Sequence, residues 1–192
     1  MPAPEVVLVR HGETEWSRSG RHTGRTDLPL TDAGRHEAEQ LVRPLAERHF
    51  TLVLTSPLTR AVETCRLAGL GAGAKLRDDL MEWDYGRYEG RTQPEIRAEA
   101  PGWDLWRDGC PGGESAADVG RRADRVLAEL HAADGDAAVF SHGHFLRVLA
   151  ARWLDLPPEA GRIFALSTAT LSVLGSEHDG PVVQRWNQPV AL

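Results

Sequence analysis

Apolar and polar positions alternate along the chain in two rhythms, short aliphatic runs and longer stretches of helical spacing. Val6-Val7-Leu8-Val9 is an unbroken aliphatic run, the pattern of a strand buried on both faces of a parallel sheet. The runs at 50–56 and 136–140 repeat it. Between them, Ala38, Leu41, Val42, Leu45 and Ala46 keep helical spacing after Thr31, a natural N-cap. Pro44 inside that pattern predicts a kink or an early end. Ala61, Val62 and Cys65 predict the next helix, with Pro57 at its first position. Residues 92–100 predict a further helix broken by Pro101-Gly102, and 114–133 a long amphipathic one carrying Val119, Ala123, Val126, Leu127 and Leu130. Phe145, Leu146, Val148, Leu149 and Trp153 form the last helical face. Residues 75–80 read as a short strand or connector, and 163–166, 169–174 and 182–186 as closing strands. Residues 15–30 lack periodicity and read as a long surface loop, a kind of segment that usually carries function. Strands alternating with helices predict an α/β class with a parallel sheet.

Each buried run ends in residues that no core holds unpartnered. The first enters Arg10-His11-Gly12. The second enters Ser56, with Arg60 in the first turn of the following helix, where the dipole disfavours a cation unless an anion is bound there too. The run at 136–140 enters Ser141-His142-Gly143-His144 at a helix start, where backbone N–H groups face an anion. In open α/β sheets, ligands bind at the carboxyl edge of the strands. The segment 81–90 mixes acids with aromatics and glycines, and a carboxyl such as Glu82 against Trp and Tyr suits a general acid. Two Arg forks can neutralise a phosphoryl group, while one His attacks it and another donates to its oxygens. The plainer readings are a polar turn facing water, acids capping turns and aromatics filling the core. Arg18, Arg21, Arg25, Arg87 and Arg107 are candidates for a second anion site and His22 for a substrate contact, with a solvated face as the rival reading.

Composition narrows this picture. A chain of 192 residues suffices for one α/β domain with a substantial core. Its net charge of -6 argues against a dedicated nucleic-acid binder. No apolar run reaches membrane length, since Arg147 and Arg152 interrupt even the stretch 145–154. Strand-like sequence by Glu5 leaves no room for a signal peptide, so a cytoplasmic protein is expected. Cys65 and Cys110 lack CxxC spacing; reduced thiols are the simpler expectation, and a disulfide stays open. No Walker loop, aspartate phosphatase motif, CxxxxxR or metal cluster occurs, so neither metal nor cofactor is expected. The expected partner is a small phosphorylated metabolite, with no nucleic acid and no membrane, acting on a monomer or homodimer.

RHGETEW at 10–16, HTGRTDLPLTDAG at 22–34, TSPLTRAVET at 55–64, EWDYGRYEG at 82–90, GES at 113–115 and SHGH at 141–144 occur in one order along the chain. In this the sequence resembles the histidine phosphatase superfamily, which includes phosphoglycerate mutases. HTG, EWDYGRYEG and WRDGCPGGE at 106–114 look most like its sedoheptulose-1,7-bisphosphatase and bacterial acid phosphatase branch. The resemblance implies a three-layer α/β/α domain over 1–192, with a mostly parallel central sheet and a small cap at about 82–113. It implies His11 as the phosphorylated nucleophile, Arg10, Arg60 and His142 as holders of the phosphoryl oxygens, and Glu82 as acid and then base. Ser17, Thr23, Gly24 and Arg107 follow as substrate contacts; Ser17 stands where the mutases carry Asn. The short cap favours a metal-free phosphatase. A mutase, or a non-catalytic module that binds a phosphorylated ligand, remains the alternative.

Overall fold

A computed structural model describes residues 4–178 and 180–190. Its strands are β1 (Val6–Arg10), β2 (Leu52–Thr55), β3 (Lys75–Leu76), β4 (Ala137–Ser141), β5 (Thr170–Glu177) and β6 (Gly180–Pro189). Its α-helices are α1 (Glu15–Ser19), α2 (Asp32–Gln40), α3 (Val42–Ala46), α4 (Thr59–Leu67), α5 (Gln93–Glu99), α6 (Leu105–Asp108), α7 (Ala116–His131) and α8 (Gly143–Trp153). The strands form one sheet in the order β3-β2-β4-β1-β5-β6. The pairs β1–β4, β2–β4 and β2–β3 are parallel, while β5 and β6 add an antiparallel edge.

The aliphatic run of β1 explains the layering. Successive side chains point to opposite faces of a strand. Val6 and Leu8 therefore join a core with Val119, Val126, Phe145 and Leu149 of α7 and α8, and Val7 and Val9 join another with Leu41, Leu45 and Cys65 of α2–α4. A strand apolar on both sides thus demands helices on both faces, and the result is the three-layer α/β/α arrangement. Trp83, Tyr85, Ile96, Trp103 and Trp106, from segments above the sheet's edge, extend the α7–α8 core upward. Among the described residues no helix is long and apolar enough to cross a membrane. Cys65 and Cys110 are buried free thiols.

Local chemistry overrides hydrophobic pattern in four places. The expected loop at 15–30 begins with α1, held by a capping box in which Thr14 and Ser17 exchange hydrogen bonds. Such polar reciprocity leaves no apolar rhythm to read. The helix containing Pro44 is interrupted at Leu41, which separates α2 from α3. Pro57 lies outside α4, whose N-cap is Leu58. The apolar run at 163–166 forms no strand: it leaves a 3-10 turn at Pro158–Ile163 and spends Phe164 on the Trp186 ring, 4.9 Å away between centroids.

Candidate active site

Parallel register brings three strand ends to one edge. Arg10 pairs with Ser141 and Thr55 with Phe140, so the residues that follow each strand meet above the sheet. His11 N–H continues the ladder onto Ser141 O at 3.0 Å, and Ser56 N–H continues it onto Phe140 O at 3.0 Å. Gly12 then passes so close to α2 that an added Cβ would stand 2.3 Å from Gly34 O. Its N–H donates to Thr64 Oγ1 of α4 at 3.0 Å. Ala169 N–H reaches both Arg10 O and His11 O from the turn before β5. The strand exit is held from three directions.

His11 is 4% exposed and lies within hydrogen-bond distance of Gly12 O through Nδ1, at 2.8 Å. A carbonyl only accepts, so Nδ1 carries the hydrogen and Nε2 keeps its lone pair. Burial first, then the Arg60 and Arg10 charges, drive the imidazole well below the usual histidine range. His11 is therefore neutral near pH 7, with a free nucleophilic nitrogen. His142 lies behind it, ring centroids 5.1 Å apart. Arg60 Nε–H donates to His142 Nδ1 at 3.2 Å, which leaves His142 Nε2–H to donate to Ser56 Oγ at 2.8 Å. Burial, then Arg60, depress His142 as well, so it is a neutral N–H donor and not a cation. Arg60 is fully buried and donates from Nη1 to Thr26 O and from Nη2 to Thr23 O and Gly24 O. Asp27 in the same loop accepts from Thr59 N–H and Oγ1 at the start of α4.

Glu82, 5% exposed, takes the place the sequence left for an external anion. Its Oε1 accepts from Trp83 N–H and Phe145 N–H, and its Oε2 from His144 N–H at 3.0 Å. The carboxyl group thus caps α8 by meeting N–H groups that the helix leaves unpaired. A buried clamp fixes its segment. Arg122 of α7 pairs with Glu114 through Nε and Nη2 at 2.7 and 2.8 Å, and donates to Asp79 O, Met81 O and Glu82 O. Glu114 Oε2 also accepts from Asp84 N–H. The hydrophobic pattern of α7 gives no sign that Arg122 points inward to the loop of Glu82.

A cavity of about 120 Å³, room for a few water molecules, joins His11 to Glu82. Its lining also includes Arg10, Ser17, Arg21, His22, Thr23, Tyr85, Gly143, His144, Arg147 and Leu166. Of the expected residues, His11, Arg10, Glu82, Ser17 and Thr23 meet here, while Arg60 and His142 do not line the cavity and back His11 from beneath. Gly24 does not line the cavity: its N–H is held by Glu89 Oε1 at 2.8 Å. Arg107 is exposed and spent on Asp108 and Gly102 O, on the outer side of a short helix whose Leu105 and Trp106 are buried. Arg18 is likewise exposed and paired with Glu15, and Arg25 faces Asp84 and Glu114. Arg10 donates to Leu166 O, and its Nε is buried without a partner. It passes so close to Gly143 that an added Cβ would lie 3.2 Å from Arg10 Cζ. Arg147 is a residue the sequence reading missed. Its signal was helical spacing, since 144 and 147 share one face of α8. Two larger grooves, of about 590 and 850 Å³, lie elsewhere and contain none of these strand-end residues.

This geometry has relatives. Residues 6–189 match the histidine phosphatase superfamily, branch 1. An acid phosphatase of Mycobacterium tuberculosis is 46% identical over 90% of this chain and 87% of its own length. The sedoheptulose 1,7-bisphosphatase of Saccharomyces cerevisiae is 40% identical over 80% of this chain and 68% of its own. The solved structure of the Mycobacterium tuberculosis open reading frame Rv3214 superposes with a TM-score of 0.93 at 42% identity, covering 98% of this chain and 99% of that one. A neutral, buried histidine at the end of β1, facing a capped carboxylate across a small cationic cavity, is thus set in a chain that belongs to the histidine phosphatase superfamily, as a phosphoric monoester hydrolase.

Proposed function

We propose that the enzyme hydrolyses small phosphomonoesters, sugar phosphates and bisphosphates foremost, through a phosphohistidine on His11 and without a metal ion. The observation that carries this reading is the His11–Gly12 O contact, which leaves Nε2 as a lone pair in the cavity. Nε2 attacks phosphorus, the ester P–O bond breaks, and Glu82 gives its proton to the departing alkoxide. Glu82 then takes a proton from water, which cleaves the P–N bond and releases phosphate. One group must serve both halves, because the acid of the first is regenerated as the base of the second. Arg10 and Arg60 oppose the phosphoryl charge from the side of the nucleophile, and neutral His142 turns its Nε2–H from Ser56 Oγ to a phosphoryl oxygen when substrate is bound.

The leaving group faces the other wall. Arg21 lies on the rim with Nη1 on Gly90 O, and Arg147 sits 4.6 Å above the Trp106 ring with Nε on Gly161 O. Two cations at that wall favour a substrate with a second anionic group. The short segment between Glu82 and Gly113 supports hydrolysis over mutase-type retention of the phosphoryl group. The same reading places the enzyme in the cytoplasm, where charged metabolites are retained. Rapid quenching with a radiolabelled sugar phosphate is expected to trap an acid-labile phosphoenzyme that the His11→Ala variant lacks. Phosphate release is expected without a bisphosphate primer and in the presence of EDTA. Full turnover by His11→Ala, or dependence on primer or metal, would overturn the mechanism.

A further inference from the structure

Two imidazoles that the phosphoryl-transfer chemistry does not use face the same cavity. His22 and His144 stand with parallel rings, 3° apart in plane and 6.2 Å between centroids. Tyr85 and Trp103 brace His22 edge-on, and Trp106 does the same for His144. Each ring has one nitrogen occupied. His22 Nδ1 lies 2.8 Å from Arg91 O, and since a carbonyl only accepts, Nδ1 carries the hydrogen and Nε2 of the neutral ring is an acceptor. His144 Nδ1 lies 2.6 Å from Tyr85 Oη. Burial, then the Glu82 charge, hold the Tyr85 phenol well above its usual range, so it stays protonated. A phenol is the stronger donor and an imidazole nitrogen the stronger acceptor. Tyr85 therefore donates to Nδ1, and His144 carries its hydrogen on Nε2.

Among the described residues neither Nε2 has a partner. The only side-chain polar atoms sealed without one among those residues are Arg10 Nε and Glu89 Oε2, so both Nε2 atoms reach accessible space, and both rings line the cavity. Burial, then Arg147, push His144 well below the usual histidine range, which keeps it neutral. The fold thus presents one fixed N–H donor and one fixed lone pair, side by side, next to the carboxyl that protonates the leaving oxygen.

We propose that His22 and His144 form a donor–acceptor pair that reads hydroxyl groups on the leaving alcohol, with Tyr85 as the positioning residue that sets the His144 tautomer. A hydroxyl both donates and accepts, so a pair offering one of each complements a polyol. An alkyl ester leaves both nitrogens desolvated and unpaired. The proposal rests on the phosphatase reading above and narrows its substrate to esters of polyhydroxylated alcohols.

Glycerol 1-phosphate and propyl phosphate share a skeleton and differ in two hydroxyls, so the ratio of their kcat/KM values reads the pair directly. The wild-type ratio is expected to exceed roughly tenfold, the effect of losing about one net hydrogen bond. It should fall towards one in Tyr85→Phe and in His22→Phe, and be largely restored in His144→Gln relative to His144→Ala, because the amide keeps a donor. Nitrogen-15 NMR of the wild type should show His144 protonated at Nε2 and bare at Nδ1, with the two tautomers mixed in Tyr85→Phe. A wild-type ratio near one, an unchanged ratio in Tyr85→Phe, or a proton on His144 Nδ1 would overturn the pair while leaving the phosphatase reading intact. Release of phosphate from neither ester nor from p-nitrophenyl phosphate would overturn that reading itself, and the pair with it.

Discussion

At the level of single residues, the site works by denying groups their usual options. His11 is kept neutral because burial and two guanidinium groups oppose its protonation. The acidic limb of kcat/KM assigned to His11 should accordingly lie well below pH 6.5, since the free enzyme's essential groups set that profile. A limb centred on ordinary histidine values, measured with p-nitrophenyl phosphate, would contradict the buried neutral nucleophile. Gly143 has a role as specific as that of His11. Its missing side chain is the space through which Arg10 crosses the start of α8. Gly143→Ala is expected to displace the guanidinium and lower kcat/KM about tenfold to a hundredfold, the range for losing a charge-assisted hydrogen bond. Thermal stability of the variant, measured alongside, separates this from unfolding.

Secondary elements matter here mainly through their ends. α8 starts at the strand exit of β4 and finds its capping carboxylate in Glu82, far along the chain. Glu82 is therefore placed by helix α8 from one side and by the Arg122–Glu114 pair, anchored on α7, from the other. The side chains of that pair are only 9% and 16% exposed, so removing one partner strands a largely buried charge. Arg122→Met should cost about 3 kcal/mol in chemical denaturation, and Arg122→Met with Glu114→Gln should recover much of it. The single variant should also lose more activity on poor leaving groups than on p-nitrophenyl phosphate, because nitrophenolate needs little protonation. Equal losses on both would show that the clamp does not position Glu82.

For the molecule as a whole, gathering buried imidazoles at one sheet edge links folding to pH. His11, His142 and His144 have folded-state values depressed below their unfolded ones. Above about pH 6.5 all are neutral in either state and stability is complete. As the pH falls below that value, the unfolded chain takes up protons that the folded one refuses, and stability is lost. Three such groups imply a slope approaching about 4 kcal/mol per pH unit. Denaturation followed from pH 7 down to 5 should show this loss, and His11→Ala should remove about a third of it. A flat profile would mean that the rings are solvated.

Val6-Val7-Leu8-Val9 and the runs at 50–56 and 136–140 announced a doubly covered parallel sheet by themselves, because a strand apolar on both faces must be buried on both. The Arg and His residues after them marked the reacting edge for the same reason: polar groups at the end of a buried run need partners. Their order with EWDYGRYEG and SHGH was enough to expect His11, Arg10, Arg60, Glu82 and His142 together. Which partner each would take was not legible. That Arg60 spends its fork on Thr23, Gly24 and Thr26, that Glu82 and not a ligand caps α8, and that Arg107 turns away while Arg147 turns in, all depend on side-chain directions between segments distant in sequence. Periodicity reports which face of an element is buried. Only packing the elements against one another decides what a polar side chain meets there, and so which hydrogen each imidazole carries.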